Sequence, residues 1–259
     1  MARTLRDCIY GQAVADALGV PYEFRPRGTF LCTGMIGHGS HNQPAGTWSD
    51  DTSMALAICD SYRELGRIDV EDIRARFVRW YRQGAYTVDG LFDIGNATRA
   101  ALERGHGLSG EWDNGNGSLM RTVPLAYTDA TDDEVRAVSA ITHAHAVSTE
   151  ACVAMVKVAR ELIGGAEVAD VAGDAAGRSA KDIKSGGYVR DTYEAALWCL
   201  ANTSSYAECV LAAVNLGDDT DTTAAVAGAL AGIVYGMEGI PDEWLSALRG
   251  AEVIEACLF

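Results

Sequence analysis

Two short acidic clusters hold the residue types in this sequence that are best suited to chemistry. The first is Trp48–Thr52 (WSDDT) and the second is Asp218–Thr223 (DDTDTT). One aspartate, serine or threonine is enough to cap a helix, but each cluster has several side-chain oxygens. Neighbouring carboxylates repel each other unless a positive charge lies between them, and Mg²⁺, Mn²⁺ and Ca²⁺ accept carboxylate and hydroxyl oxygens as ligands. The clusters therefore predict either helix caps or, if facing helices bring them together, a site for two divalent metal ions.

Other metal sites fit the sequence less well. An EF-hand loop that began at Asp219 would lack the required glycine and glutamate at its sixth and twelfth positions. His143 and His145 form one histidine pair, and His38 and His41 form another, but no cysteine accompanies either pair at zinc-ligand spacing. Such histidines also occur as helix caps or in the core. A dinuclear hydrolase built on His143, His145 and the aspartates stays open as an alternative to an oxygen-only site.

A glycine-rich segment, Asn114–Arg121 (NGNGSLMR), is a third candidate. Exposed backbone N–H groups in such a segment can bind phosphate, and Arg121 would add positive charge. The segment is not a dinucleotide-binding fingerprint, because Met120 stands where the third glycine belongs, and it lacks the Gly-Lys-Ser/Thr of a P-loop. A simple turn is the alternative to a phosphate-binding loop.

Helical periodicity dominates the segments that must position these residues. The segments predicted to be helices are Arg3–Leu18, Asp51–Leu65, Asp69–Arg82, Ser148–Ile163, Thr192–Ala201 and Thr222–Tyr235. Capping boxes at Thr131–Glu134 and Ser205–Glu208 predict two further helix starts. Only the segment around Phe30–Ile36 would suit a strand, and no linker or internal repeat divides the chain. The sequence therefore predicts an all-α fold, with orthogonal helices forming a single compact domain over residues 1–259.

Charge and cysteine content bear on location and partners. The 259 residues have a formal net charge of −15, which repels nucleic acid and anionic lipid, so we expect neither as a partner. The seven cysteines are odd in number and include no CxxC pair, and the N-terminal residues lack the apolar run of a signal peptide. We expect free thiols in a cytoplasmic protein, and we expect that protein to be a monomer.

Six motifs occur in the order in which they occur in the ADP-ribosylglycohydrolase family, and the chain resembles that family from Gly11 to about Gly236. Gly11–Gly19 (GQAVADALG), followed by Glu23, resembles the family's GxxxGDAxG…E element. The other motifs are similar to W(T/S)DDT, GNGxxMR, TH, GGYV and DxDT, and they lie at Trp48–Thr52, Gly115–Arg121, Thr142–His143, Gly186–Val189 and Asp219–Thr222. Ala15 and Asp218 replace glycines common in the family, which we interpret as local backbone variation.

The resemblance implies an all-α fold with two divalent metal ions, Mg²⁺ or Mn²⁺, at its centre. The metal ligands that it implies are Ser49, Asp50, Asp51, Asp219, Asp221 and Thr222. The catalytic carboxylates that it implies at this metal site are Glu23, Asp50 and Asp219. The implied substrate contacts are Gly115, Asn116, Gly117, Ser118 and Met120 for the diphosphate and its sugar, His143 for the ribose, and Tyr188 for the adenine. Trp48 and Arg121 would support the site rather than act in it.

The activity that the resemblance implies is hydrolysis of the N- or O-glycosidic bond between ADP-ribose and an acceptor, with ADP-ribose as the product. Such a bond breaks through an oxocarbenium-like state, which nearby negative charge stabilises. Family members act on ADP-ribose linked to arginine, serine or smaller acceptors. We expect arginine-modified protein as the substrate, because a cationic acceptor complements an acidic surface. Serine- or small-molecule-linked ADP-ribose is the alternative substrate, and a non-catalytic ADP-ribose-binding module is the alternative of another class.

Overall fold

The computed structural model describes residues 3–259, and these residues form twelve α-helices. In chain order they are α1 (Leu5–Gly19), α2 (Asp50–Leu65), α3 (Val70–Gln83), α4 (Asn96–Arg104), α5 (Asp132–Ala140), α6 (Ala146–Ile163), α7 (Val168–Ala172), α8 (Val189–Ala201), α9 (Tyr206–Asn215), α10 (Thr220–Tyr235), α11 (Asp242–Ala247) and α12 (Ala251–Cys257). Pairing between extended backbone segments in residues 3–259 is limited to three isolated bridges. The predicted all-α class is confirmed.

The helices predicted from periodicity are all present, and their ends differ from the predicted ones by at most three residues. The largest difference is at α8, which begins at Val189 rather than at Thr192. Helix α10 begins at Thr220, two residues before the predicted start. Both differences lie at N-termini, where the residues that cap a helix and those inside its first turn are of similar types.

Local capping chemistry accounts for the starts of α5 and α9. Thr131 and Glu134 form the predicted capping box, in which each side chain accepts from the backbone N–H of the other residue. At α9 only half of the predicted box forms. The Ser205 hydroxyl accepts from the N–H of Glu208, but the Glu208 carboxylate accepts from the N–H of Ser204 instead of Ser205.

The segment Phe30–Ile36 is irregular rather than a strand. Its central residue, Cys32, is bound by the side-chain amide of Asn215 in α9. The N–H of Cys32 donates to Asn215 Oδ1 at 2.8 Å, and Asn215 Nδ2 donates to the carbonyl oxygen of Cys32 at 3.0 Å. Because the amide satisfies both backbone groups, this residue needs no neighbouring strand.

Helix α10 lies at the centre of the fold, where it packs against α1, α2, α6, α8 and α9. Its backbone comes especially close to that of α1. A Cβ atom at Gly11 would lie 2.4 Å from the carbonyl oxygen of Gly228, and a Cβ atom at Gly232 would lie 2.2 Å from the carbonyl oxygen of Asp7. These glycines therefore serve helix packing, because any side chain would force the two helices apart.

This packing places the N-termini of α2 and α10 beside each other. The first turn of α2 contains Asp50 and Asp51, and the first turn of α10 contains Asp221. Thr222 Oγ1 in α10 donates to Asp51 Oδ2 in α2 at 3.3 Å. Helix N-termini favour negative charge through their free N–H groups and their dipoles. The two acidic clusters, 170 residues apart in the chain, therefore meet at one junction.

The cysteines and the lengths of the apolar helices can be compared with what the sequence predicted. The seven cysteines are free and buried, where they pack as small apolar side chains. Within residues 3–259, no helix has the length and apolar character that a membrane span requires.

Candidate active site

Four of the predicted metal ligands share hydrogen bonds at the junction of α2 and α10. Ser49 Oγ and Thr222 Oγ1 both donate to Asp51 Oδ2, at 3.0 and 3.3 Å. The backbone N–H of Thr222 donates to Asp221 Oδ1 at 2.9 Å. Asp51 and Asp221 are almost completely buried. The packing of two helix starts therefore brings two carboxylates and two hydroxyls into one buried group.

The remaining two predicted ligands, Asp50 and Asp219, line a cavity next to this junction. Asp219 Oδ2 accepts from Asn116 Nδ2 at 2.8 Å, and Asn116 Nδ2 also donates to Thr192 Oγ1 at 2.9 Å. The backbone N–H of Asp219 donates to the carbonyl oxygen of Ser185 at 2.9 Å. Asn116, which was predicted to contact substrate, therefore also holds Asp219 in place.

Asp16 is a buried carboxylate of this site that the sequence analysis did not assign. Its oxygens accept from the backbone N–H groups of Ser49 and Thr52 at 3.0 to 3.1 Å, and Oδ2 also accepts from the Thr52 hydroxyl at 2.6 Å. Asp16 therefore caps α2 from a position on α1. A signal was present in the sequence, because Asp16 is the acidic residue of the GQAVADALG motif.

Glu23 lies in a second group of side chains on the acidic side of the cavity. Glu23, His41, Asp93 and Asp221 each present a potential ligand atom, and these four atoms lie within 4.8 Å of one another. His41 Nε2 is hydrogen-bonded to Glu23 Oε2. Sequence reasoning considered His41 only in a zinc-type pair with His38 and did not consider Asp93. Neither residue lies in one of the six motifs, and only the folding of two loops brings them to Glu23.

Burial raises the pKa values of the carboxyl groups at this site. Burial, together with the charges of Asp93 and Asp219, raises the pKa of Glu23 to about 7. Burial also raises the pKa of Asp16 to about 6, although its hydrogen bonds act in the opposite direction. The pKa of His41 is raised because Glu23 accepts its hydrogen bond. Without a bound cation, Glu23 therefore holds its proton to a higher pH than an ordinary glutamate does.

The buried carboxylates at the starts of α2 and α10 fit a divalent cation. The pKa values of Asp50, Asp51 and Asp221 rise well above the ordinary value, first because of burial and then because of the charges of neighbouring carboxylates. Asp51 Oδ1, Asp219 Oδ1 and Asp221 Oδ2 are buried and receive no hydrogen bond from any atom in residues 3–259. Buried carboxylate oxygens without donors are costly unless a cation neutralises them. Oxygen donors of this kind suit a hard divalent ion.

An inner cavity of about 280 Å³ opens beside these carboxylates. The predicted substrate contacts that line it are Gly115, Asn116, Gly117, Met120 and His143. A Cβ atom at Gly117 would lie 2.8 Å from His143 Cε1, and one at Gly115 would lie 3.3 Å from His143 Nε2. Both glycines therefore leave room for the histidine ring at the cavity wall.

His143 is held as a neutral hydrogen-bond donor. Burial, together with the charge of Arg121, lowers the pKa of His143 to about 3. Arg121 Nη2 donates to Thr142 Oγ1 at 2.8 Å, and this hydroxyl lies 2.8 Å from His143 Nδ1. A hydroxyl that accepts from arginine can donate its own hydrogen to Nδ1, and with that arrangement the ring hydrogen is on Nε2. In this tautomer His143 presents an Nε2–H group beside Gly115 at the cavity.

Arg121 and Trp48 lie behind the site rather than in it. Arg121 is fully buried, its guanidinium donates to the carbonyl oxygen of Gly117 at 2.6 Å, and it lies over the Phe77 ring at 4.6 Å from the ring centroid. Trp48 is also buried, and its Nε1–H donates to the carbonyl oxygen of Tyr86 at 3.2 Å. Neither residue lines the inner cavity, so these positions agree with a supporting role.

An outer cavity of about 650 Å³ adjoins the inner one. Trp112, Gly115 and Gly187 line both cavities, so the two spaces are direct neighbours. Tyr188 and Trp112 give the outer cavity two aromatic side chains, which are 41% and 93% exposed. The outer cavity therefore offers aromatic surface within reach of the carboxylates.

Two sequence interpretations change with these positions. Ser118 lines neither cavity, and its hydroxyl is buried against Ser139 Oγ at 3.0 Å and Cys152 Sγ at 3.4 Å, which leaves its backbone N–H as the group for the predicted substrate contact. His143 lines the inner cavity, whereas His145 lines the outer one and caps α6 by accepting from a backbone N–H. Neither histidine belongs to the group of possible ligand residues that lie within 4.8 Å of one another in residues 3–259, so a metal centre built on His143 and His145 has no support there.

Comparison with known proteins agrees with this architecture. The family model described as ADP-ribosylglycohydrolase matches residues 2–258. The chain is 36% identical, over 96% of its own length and 75% of the relative, to ADP-ribosylarginine hydrolase Tri1 from Pseudomonas putida strain GB-1. It is 33% identical, over 92% of its own length and 87% of the relative, to ADP-ribosyl-[dinitrogen reductase] glycohydrolase from Rhodospirillum rubrum.

A solved structure of a related protein also matches this chain. This structure, described as an ADP-ribosylglycohydrolase-related protein complex, matches with a TM-score of 0.85 and 34% sequence identity. The match covers 99% of this chain and 95% of the solved chain. With the fold, the acidic centre and the relatives in agreement, this chain belongs to the ADP-ribosylglycohydrolase family.

Proposed function

We propose that this protein hydrolyses the glycosidic bond between ADP-ribose and arginine side chains of modified proteins, and that it releases ADP-ribose. The observation that carries the proposal is the group of buried carboxylates beside an inner cavity that adjoins an aromatic outer cavity. Two relatives are named as an ADP-ribosylarginine hydrolase and as a glycohydrolase of ADP-ribosylated dinitrogen reductase. Their names support a protein-linked ADP-ribose as the substrate.

The metal requirement is part of this proposal. We propose two ions, Mg²⁺ or Mn²⁺, at the junction of α2 and α10. The residues proposed to hold them are Ser49, Asp50, Asp51, Asp219, Asp221 and Thr222. When bound, such ions supply positive charge that orients sugar hydroxyls and acidifies a water molecule. The unpartnered oxygens of Asp51, Asp219 and Asp221 support this assignment.

The carboxylates have two further tasks in the proposed reaction. Glu23 lines the inner cavity, where a carboxyl group can exchange a proton with a leaving group or a water molecule. We assign Glu23 to move a proton to the leaving group or from the attacking water. Asp50 and Asp219 line the same cavity, where negative charge stabilises the positive charge that develops on the ribose ring.

The two cavities divide the proposed substrate between them. The ribose next to the scissile bond would occupy the inner cavity, where the Nε2–H group of His143 can donate to a sugar hydroxyl. The diphosphate would accept from backbone N–H groups of the loop Gly115–Met120. The adenine would stack on Tyr188 in the outer cavity, because an exposed aromatic ring offers a flat apolar face.

The choice of arginine rests on the charges around the cavities. Asp93 and Asp113 line the inner cavity, and Glu111 lines the outer one. Carboxylates at these walls attract a guanidinium group and offer nothing comparable to a neutral serine linkage. These charges support arginine as the acceptor.

Incubation with arginine- and serine-ADP-ribosylated peptides, followed by mass spectrometry, tests the proposal. We expect ADP-ribose to leave the arginine peptide faster than the serine peptide when Mg²⁺ or Mn²⁺ is present, and to stay attached after chelation. Asp221→Asn is the metal-site variant to compare with the parent, because it keeps the side-chain shape and removes one negative charge. Release from serine alone would change the acceptor, and full activity after exhaustive chelation would refute the metal requirement. Binding of ADP-ribose without release from either peptide would identify a binding module instead.

The cytoplasmic location and the monomeric state belong to the proposal as well. The seven free, buried cysteines support a reducing compartment, because a secreted protein of this kind would be expected to form disulfides. Size-exclusion chromatography with light scattering measures the mass in solution, and we expect that of one chain.

A further inference from the structure

Glu23 is held by an unusual loop. It follows the short 3₁₀ turn Val20–Tyr22 that continues α1, and the next residue, Phe24, has a φ of 65°. A bulky residue with a left-handed backbone is strained and persists only where its surroundings hold it. The N–H of Phe24 donates to the carbonyl oxygen of Asp218 at 2.7 Å, which ties this loop to the residues that precede α10. The backbone of Glu23 therefore has a fixed place beside the acidic junction.

A second loop contacts Glu23 at both its backbone and its side chain. In the turn Gly39–His41, Ser40 Oγ donates to the carbonyl oxygen of Glu23 at 2.6 Å. The next residue, His41, places its Nε2 against Glu23 Oε2. When Glu23 is ionised its oxygen can only accept, and in that state the ring donates its Nε2–H group to Glu23. Two consecutive residues of one turn thus hold both ends of Glu23.

The His41 ring itself is fixed by two aromatic neighbours. Its centroid lies 5.7 Å from that of Phe24 and 5.4 Å from that of Phe92. Phe24 belongs to the strained loop, and Phe92 directly precedes Asp93, another residue of the acidic group. The ring is half-buried and its orientation is set by packing as well as by hydrogen bonding.

We propose that His41 is a positioning residue that holds the Glu23 carboxylate at the inner cavity for the reaction. Glu23 faces the negative charges of Asp93 and Asp221, and a glutamate side chain with free torsions would turn away from them. The hydrogen bond from His41 opposes this repulsion and selects one orientation. Among residues 3–259, His41 is the side chain that donates a hydrogen bond to the Glu23 carboxylate. The inference rests on the proposed function, in which Glu23 moves the proton.

Two substitutions separate the hydrogen bond from the packing. His41→Phe keeps an aromatic ring between Phe24 and Phe92 but removes the N–H group, whereas His41→Gln keeps an N–H group at similar reach. We expect His41→Phe to lower kcat roughly 10-fold or more, because small displacements of a reacting group cost that much. The Kd for ADP-ribose should change by less than about 3-fold, since the product needs no positioned proton donor. His41→Gln should restore most of the lost kcat.

A double-substitution cycle shows whether His41 acts through Glu23. If it does, adding His41→Phe to Glu23→Gln should cause almost no further loss of kcat, because the group being positioned is already inactive. Equal losses in His41→Phe and His41→Gln, or losses that multiply in the double variant, would overturn the inference. A loss that appears only in thermal stability would overturn it as well.

A measurement independent of activity keeps this inference separate from the proposed function. The ring-nitrogen NMR signal of His41 Nε2–H should shift strongly in Glu23→Ala and stay in place in Tyr188→Ala, which alters the outer cavity. An unchanged His41 signal in Glu23→Ala would refute the contact even in a fully active enzyme. A parent protein that releases no ADP-ribose but shows the shift would refute the proposed function and leave the positioning contact established.

Discussion

After divalent cations have been removed, this protein should have a lower free energy of unfolding at pH 8 than at pH 5. The pKa of Glu23 is raised to about 7 in the folded chain, whereas an unperturbed glutamate ionises near 4.5. Between these values the folded state keeps a proton that the unfolded state has released. The free energy of unfolding therefore falls as the pH rises through this window. Asp16 acts in the same direction between 3.8 and about 6.

The size of the effect follows from these pKa values. A rise from 4.5 to about 7 corresponds to about 3 kcal/mol at a pH above both values, and the rise for Asp16 is of similar size. Domains of this kind unfold with free energies of roughly 5 to 15 kcal/mol, so the loss is a large fraction of the total. A cation that binds the ionised carboxylates opposes the loss, because it binds the folded state preferentially.

Asp221→Asn should stabilise the metal-free protein, whereas most substitutions at buried sites destabilise a protein. It removes one of the charges that repel each other at the junction of α2 and α10, so the metal-free variant should be more stable than the metal-free parent at pH 8, by about 1 to 3 kcal/mol. Added Mn²⁺ should stabilise the parent far more than the variant. Asp174→Asn is the control, because it makes the same change in net charge at an exposed residue outside the acidic cluster.

Urea unfolding followed by circular dichroism measures these free energies at pH 5, 6, 7 and 8, with chelator or with Mn²⁺. We expect a falling curve for the parent with chelator, a flatter curve with Mn²⁺, and a curve like that of the parent for Asp174→Asn. A metal-free parent whose stability is constant or rises from pH 5 to pH 8 would refute the reasoning. A metal-free Asp221→Asn variant less stable than the parent at pH 8 would also refute it.

Three further outcomes are expected. Glu23→Gln should keep ADP-ribose binding while kcat falls roughly 100-fold or more, which is the usual scale for loss of a general acid or base. An unchanged single-turnover rate would leave Glu23 only a gating role. Tyr188→Ala should weaken ADP-ribose more than ribose 5-phosphate in calorimetry, because only ADP-ribose has an adenine to stack, and equal losses would remove stacking from the proposal. Gly228→Val should lower the free energy of unfolding, measured in urea, by several kcal/mol, because an added Cβ would lie 2.5 Å from the carbonyl oxygen of Gly11. A stability equal to the parent's would contradict the close packing.

Local sequence patterns were sufficient to predict the fold class. The apolar spacing in Asp69–Arg82 and the capping box at Thr131–Glu134 involve residues within one or two helical turns, so their outcome depends little on the rest of the chain. The same reasoning failed at Phe30–Ile36, where a distant side chain, Asn215, satisfies the backbone of Cys32. Motif order then indicated the family, although no single motif was specific.

Tertiary packing alone decides which side-chain oxygens of the acidic site come together. Thr222 and Asp51 are hydrogen-bonded across 171 positions, and the glycines that let α10 pack closely on α1 lie outside both acidic clusters. Asp16 caps α2 from another helix, and His41 reaches Glu23 from another loop. Sequence spacing determines which side chains share a helix face, because that geometry repeats every turn. It does not determine which faces meet, because that depends on the summed packing of all the helices.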